Sequence, residues 1–166
     1  QVLDNEGKFI GFDCIIGNPP YIQLQKMGQA STDLEKMGYD TFIKTGDIYS
    51  LFYELGFRIL KSNGFLTFIT SNKWMRAAYG ESLRKYFVEK SNPLILIDFG
   101  GVQVFDTATV DTNILIAEKA IYKGVTNACV LDKNFSINNT SDYFSQRLTN
   151  SSFKSGSWVV LSPIEQ

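Results

Sequence analysis

Histidine is absent from this 166-residue chain. That absence removes Ser-His-Asp and Cys-His nucleophilic machinery, histidine-containing zinc sites and imidazole acid–base work. Chemistry must then run on carboxylates, amides, main-chain groups or a bound cofactor. Cysteine is scarce: Cys14 and Cys129 form no CxxC pair and have no metal-ligand spacing, so no metal is expected. Cys14 lies within an apolar run and is expected to be a small core residue. Neither charge sign dominates, with 16 basic against 17 acidic residues. Any contact with nucleic acid must therefore be local rather than driven by a global basic field. No apolar run of roughly eighteen residues is present to cross a membrane. The opening QVLDNEGKFIGFD also lacks a basic-then-apolar leader. A cytoplasmic location with no membrane partner is expected. No Gly-x-Gly-x-x-Gly loop occurs.

What is present is 44% hydrophobic, enough for one modest core. The run Phe12–Ile16 is short, apolar and rich in isoleucine, which predicts a strand buried on both faces. Gly17 ends it, and Asn18-Pro19-Pro20-Tyr21 follows at once. The two prolines fix φ and remove two donors, and they push Asn18 toward an extended conformation. Residues 23–46 are polar and glycine-dotted and predict a long loop. Asp47 is placed to cap a helix with a stripe of Ile48, Leu51, Phe52, Leu55 and Ile59, ended by Lys61-Ser62-Asn63-Gly64. Phe65–Thr70 predicts a second strand, left through Ser71-Asn72. Tyr79, Leu83 and Phe87 mark a second helix, closed by Asn92-Pro93. Leu94–Ile97 is a third strand, ending in Asp98-Phe99-Gly100-Gly101, and residues 112–119 are a fourth. Alternating strands and helices imply an α/β fold with parallel pairing. The link to the fourth strand holds no helix, so that strand is expected to run antiparallel. From about residue 121 the composition turns to Asn, Ser and Thr, with Trp158–Leu161 the only later apolar cluster.

In parallel α/β sheets ligands collect at the carboxyl ends of the strands, where Asn18–Tyr21, Ser71–Trp74 and Gly100-Gly101 are all expected. An amide oxygen and a neighbouring carbonyl can together hold an NH₂ group by its two hydrogens. That withdraws the nitrogen lone pair from conjugation and aims it at an electrophile. An adjacent aromatic ring offers a stacking face for a planar substrate. Such a site makes a conjugated amino group nucleophilic without histidine.

The motif GNPPYI after FDCII resembles the catalytic motif of amino-group methyltransferases that use S-adenosylmethionine. The likeness continues through DIYSLFYELGFRILKSNGFLTFITSNKWMRAAYGESLRKYF and LILIDFGGVQVFDTATVDTNILIAEK. This order is similar to the adenine-specific DNA methyltransferases of the gamma group, the branch that includes Type IIG restriction–modification enzymes. It implies part of an S-adenosylmethionine-dependent, Rossmann-like methyltransferase sheet with one antiparallel strand. Residues 1–120 would be the catalytic half, and 121–166 an appendage or linker toward a target-recognition domain. It implies double-stranded DNA with a flipped adenine as partner. Asn18 and Pro19 would hold the adenine amino group, within the catalytic set Asn18, Pro19, Pro20 and Tyr21. Tyr21 would stack on the base, with Phe105 lining its other side or serving as ordinary packing. Asn18, Ile48 and Phe52 match positions that contact the cofactor, although the latter two also fit the core stripe. Lys73 and Arg76 would lie within reach of phosphates, or would simply be solvated. Asn-Pro-Pro-Tyr is shared with protein-glutamine and some RNA-guanine methyltransferases, which stand as alternatives, as does a non-catalytic structural segment. The family's glycine loop and ribose-binding carboxylate do not fit before Phe12. The expectation is therefore a piece of a larger protein that binds the cofactor weakly alone. It would also carry an open strand edge at Phe12–Ile16 that recruits a second chain or is covered by the N-terminal residues.

Overall fold

The computed structural model describes residues 2–102, 110–132 and 135–160. Strand β1 (Phe12–Gly17) is followed by α1 (Gln29–Lys36), α2 (Tyr49–Ile59), β2 (Leu60–Ser71) and α3 (Glu81–Lys90). Then come β3 (Asn92–Asp98), β4 (Thr112–Glu118), β5 (Thr126–Val130), α4 (Thr140–Arg147) and β6 (Thr149–Ser151). All six strands form one sheet in the order β1-β2-β4-β3-β5-β6. β1 is parallel to β2 and β3 to β5, while β4 lies antiparallel between β2 and β3. The expected antiparallel fourth strand is thus present. A second reversed strand, β6, pairs with β5.

The main core lies on one face of the sheet, beneath α2 and α3. On α2 the buried line is Tyr49, Tyr53 and Phe57, one side chain per turn. Of the stripe expected to face inward, Leu51 is buried, but the rest is rotated off that line: Ile48, Phe52 and Ile59 are half-buried and Leu55 is exposed. Aromatic area explains the preference, and Tyr53 places its hydroxyl 3.2 Å from Thr70 Oγ1, satisfying the polar tip. Gly56 lets α2 rest directly on the sheet, since a Cβ there would overlap Leu66. Asp47 provides no side-chain cap, and Ile48 occupies the capping position. The helix ends as expected before Lys61, and residues 61–64 form an irregular opening to β2 in which Asn63 takes φ 62°.

Three expectations are corrected. The first strand is not buried on both faces: it is the outer strand of the sheet, with Ile16 77% exposed and Cys14 exposed. Only Ile15, beside Leu66, packs on the main core. The stretch 23–46 is not a bare loop but contains α1, which lacks an apolar stripe because nearly all its side chains are polar. The loop after it docks on a buried acid: Glu54, 1% exposed, accepts from Thr41 N and Oγ1 (both 2.9 Å), Asp40 N (3.2 Å) and Arg58 Nη2 (2.5 Å). Finally, the described residues after 120 are not a separate appendage. β5 and β6 extend the same sheet, Phe153, Trp158 and Val160 join the main core, and α4 covers a second cluster around Ile97, Cys129 and Tyr143 on the opposite face.

Candidate active site

Because β4 is antiparallel to both β2 and β3, the strands β1, β2 and β3 end at one edge of the sheet. Asn18–Tyr21 leaves β1 there, Asn72–Ala77 leaves β2, and Phe99–Gly101 leaves β3. Asn18 is exposed, Pro19 buried, Pro20 exposed and Tyr21 half-buried. Among the described residues, neither the Asn18 side chain nor the Pro19 carbonyl takes a hydrogen bond. Two acceptors at the rim of the sheet are thus without partners among the described residues, on a segment that prolines keep rigid.

Tyr21 is tethered at both ends. Its hydroxyl donates to Ile69 O in β2 at 3.3 Å, and its ring meets Tyr49 edge-on with centroids 6.0 Å apart. Burial pushes its hydroxyl pKa up, so it stays a neutral donor at ordinary pH. Past Tyr21 the chain runs beside the approach to α2: Ile48 N donates to Ile22 O and Leu24 N to Gly46 O, each at 2.9 Å. This brings Ile48 to the motif and leaves it and Phe52 half-buried at the start of α2. Asn18 thus offers an amide without a partner among the described residues, and Ile48 and Phe52 offer two apolar side chains with accessible surface.

The exit from β2 forms a second group. Lys73 is exposed and Arg76 is 62% exposed. With Asn72, Ala77, Tyr79 and Asp111 they line a cavity of about 330 Å³. Asn18 and Tyr21 do not line it. A larger cavity of about 450 Å³, between Asn150 and Val159, involves neither group. The two loops are organised by Asp98, a residue noticed in the sequence only as the end of a strand. It is 1% exposed, and its Oδ1 accepts from Asn72 Nδ2 at 2.8 Å and Gly100 N at 3.1 Å. Its Oδ2 faces Arg76 Nη2 at 3.6 Å. Beside it Asn113 donates to Ser71 O at 3.0 Å. An acid two residues before a pair of glycines at a strand end was the available signal. Phe105, expected to line the second side of the base, lies outside the described residues.

A family model described as Eco57I restriction-modification methylase matches residues 2–105. The chain belongs to this family. It is 33% identical over 153 residues to the Type II restriction enzyme and methyltransferase RM.Eco57I of Escherichia coli, which covers 90% of this chain and 15% of that protein. It is 31% identical over 125 residues to the Type II methyltransferase M.BanIII of Aneurinibacillus aneurinilyticus, covering 74% of this chain and 21% of the relative. The chain thus spans well under a quarter of the length of these two relatives. Its fold also matches a putative class I S-adenosylmethionine-dependent methyltransferase from Listeria monocytogenes with a TM-score of 0.59. That match has 19% identity and covers 82% of this chain and 42% of the other. As a family member, the Eco57I-type chain carries the expected mixed α/β methyltransferase fold. No helix among the described residues is long and apolar enough to cross a membrane.

Proposed function

We propose that this Eco57I-family chain is the catalytic half of a larger enzyme that methylates the exocyclic amino group of adenine in duplex DNA, within a restriction–modification system. One observation carries the reading: the free acceptors of Asn18 and Pro19, fixed beside a tethered Tyr21 at the end of β1. A bound S-adenosylmethionine supplies an electrophilic methyl group. Asn18 Oδ1 and the Pro19 carbonyl accept the two amino hydrogens of a flipped adenine, which localises the lone pair on nitrogen. With its lone pair so localised, that nitrogen would be the nucleophile toward the methyl group, and it would afterwards lose a proton to solvent. Tyr21 presents its ring to the base, and Pro20 stiffens the motif. Ile48 and Phe52 pack on the cofactor beside Asn18, while Lys73 and Arg76 meet DNA phosphates.

The rest of the cofactor site, with its glycine loop, would come from a segment outside this chain that pairs with the edge of β1. The residues after 120 lead toward a target-recognition domain. Without the pairing segment, the same edge recruits a second copy. The enzyme acts where its DNA is, in a prokaryotic cytoplasm. The test is methyl transfer from labelled S-adenosylmethionine by the full-length protein, offered duplex DNA, ribosomal RNA and release-factor protein in parallel. Label in DNA adenine alone is expected. Label in RNA guanine or protein glutamine would replace this reading with one of those activities.

A further inference from the structure

Arg84, on α3, is a buried cation that methyl transfer does not use; it is 4% exposed. Its hydrogen bonds go to main-chain carbonyls: Nη1 donates to Trp74 O at 2.6 Å and Ala77 O at 2.9 Å, and Nε donates to Ser155 O at 3.1 Å. Burial lowers its pKa, with Glu81 opposing. A guanidinium is costly to bury unless its donors are used. Here Nε and Nη1 are used, on two segments far apart in sequence. One is the turn 72–77, which carries Lys73 and Arg76. The other is the stretch 153–158. Trp158 adds a second tie between them, donating its main-chain N–H to Met75 O at 2.8 Å. The Trp158 ring is fully buried, stacks on Phe153 at 4.4 Å and meets the Trp74 ring edge-on at 5.2 Å. The turn closes at Gly80, where a Cβ would overlap the Trp74 carbonyl.

We propose that Arg84 is a positioning residue that holds the turn 72–77 against the segment 153–158, so that this later segment fixes where Lys73 and Arg76 meet DNA. The DNA in that statement rests on the function proposed above, whereas the coupling of the two segments does not. Lysine keeps the charge but offers a point donor on a flexible stem, which cannot span three carbonyls in two segments as a planar fork does.

The test uses the full-length enzyme and Arg84→Lys, with Arg84→Gln as a second variant that also relieves the buried charge. Amide hydrogen exchange is expected to speed up about tenfold in both 73–77 and 155–158, the factor for one lost charge-assisted hydrogen bond. The strands β1 and β2 should keep wild-type rates. The KM for duplex DNA should rise about tenfold, with kcat at saturating DNA and cofactor affinity within about twofold of wild type. Tyr143→Phe, which removes the 3.0 Å hydrogen bond to Asp132 N in the second core cluster, serves as a control for general destabilisation. Faster exchange in only one segment, or a DNA KM no higher than that of Tyr143→Phe, would overturn the proposal. A wild-type enzyme inactive on DNA would overturn the proposed function instead, and the exchange result would still decide the coupling.

Discussion

Replacing Tyr21 separates the contribution of its ring from that of its hydroxyl, and the structure sets the expected size of each. The hydroxyl makes one contact, to Ile69 O at 3.3 Å. That is long for an O–H···O bond, so its loss is worth about 0.5 kcal/mol, or roughly twofold. A ring stacked on a base is worth about 1–3 kcal/mol, roughly fivefold to 150-fold in an equilibrium constant. Base capture in the full-length enzyme should therefore fall little in Tyr21→Phe and severely in Tyr21→Ala. Because the ring also packs against the main core, Tyr21→Ala costs stability as well. Tyr21→Leu keeps apolar bulk without an aromatic face, so it should fold like Tyr21→Phe yet lose capture like Tyr21→Ala. A fluorescent base analogue at the target position reports capture, and thermal unfolding reports stability. Equal capture by the Phe, Leu and Ala variants would refute the stacking role, whatever their stabilities.

Other expectations follow from the same geometry. Asn18 is exposed and without a hydrogen bond among the described residues. Asn18→Ala should thus leave unfolding unchanged but slow single-turnover methylation on the order of 100-fold; a loss below about threefold would remove Asn18 from the reaction. The two thiols should behave differently, since Cys14 is exposed while burial pushes Cys129 up to about 11. A thiol reagent at pH 8 should label Cys14 quickly and Cys129 only after unfolding, and two fast thiols would contradict the placement of β5. The isolated chain should bind S-adenosylmethionine poorly in calorimetric titration and self-associate in light scattering. Micromolar affinity from a strictly monomeric chain would show that the half-site reading is wrong.

The parts of the fold visible in the sequence are those whose signal is local. FLTFIT and LILI lie in strands because they are apolar runs bounded by turn residues, and the short link to 112 foretold a reversed strand; the third strand begins two residues earlier than the run, at Asn92-Pro93, which reads as a helix stop. The run at Phe12–Ile16 looks the same, yet it is largely exposed, because periodicity cannot tell a central strand from an outer one. The Ser- and Asn-rich segment after 121 hides strands because β5 and β6 are short and half polar, and they become strands only by pairing with β3 and with each other. At the site, Asn18–Tyr21 was legible because two prolines after a strand are a local anomaly. Asp98 and Arg84 were not. The glycine pair after Asp98 signals a turn there, but its partner Asn72 lies 26 residues away, and Ser155 lies 71 residues from Arg84.

The insertion of β4 between β2 and β3 also constrains how the chain can assemble. Those two strands share no hydrogen bonds, and both pair with a strand that follows them in sequence. Until Thr112–Glu118 has been synthesised, each has an unsatisfied inner edge, and the helices that cover them have no continuous surface to settle on. The sheet therefore closes late, around its own middle, through contacts between distant parts of the chain, which makes folding slow. During that interval the open edges of β2 and β3, rather than the outer edge of β1, are where a nascent chain is most exposed to wrong partners.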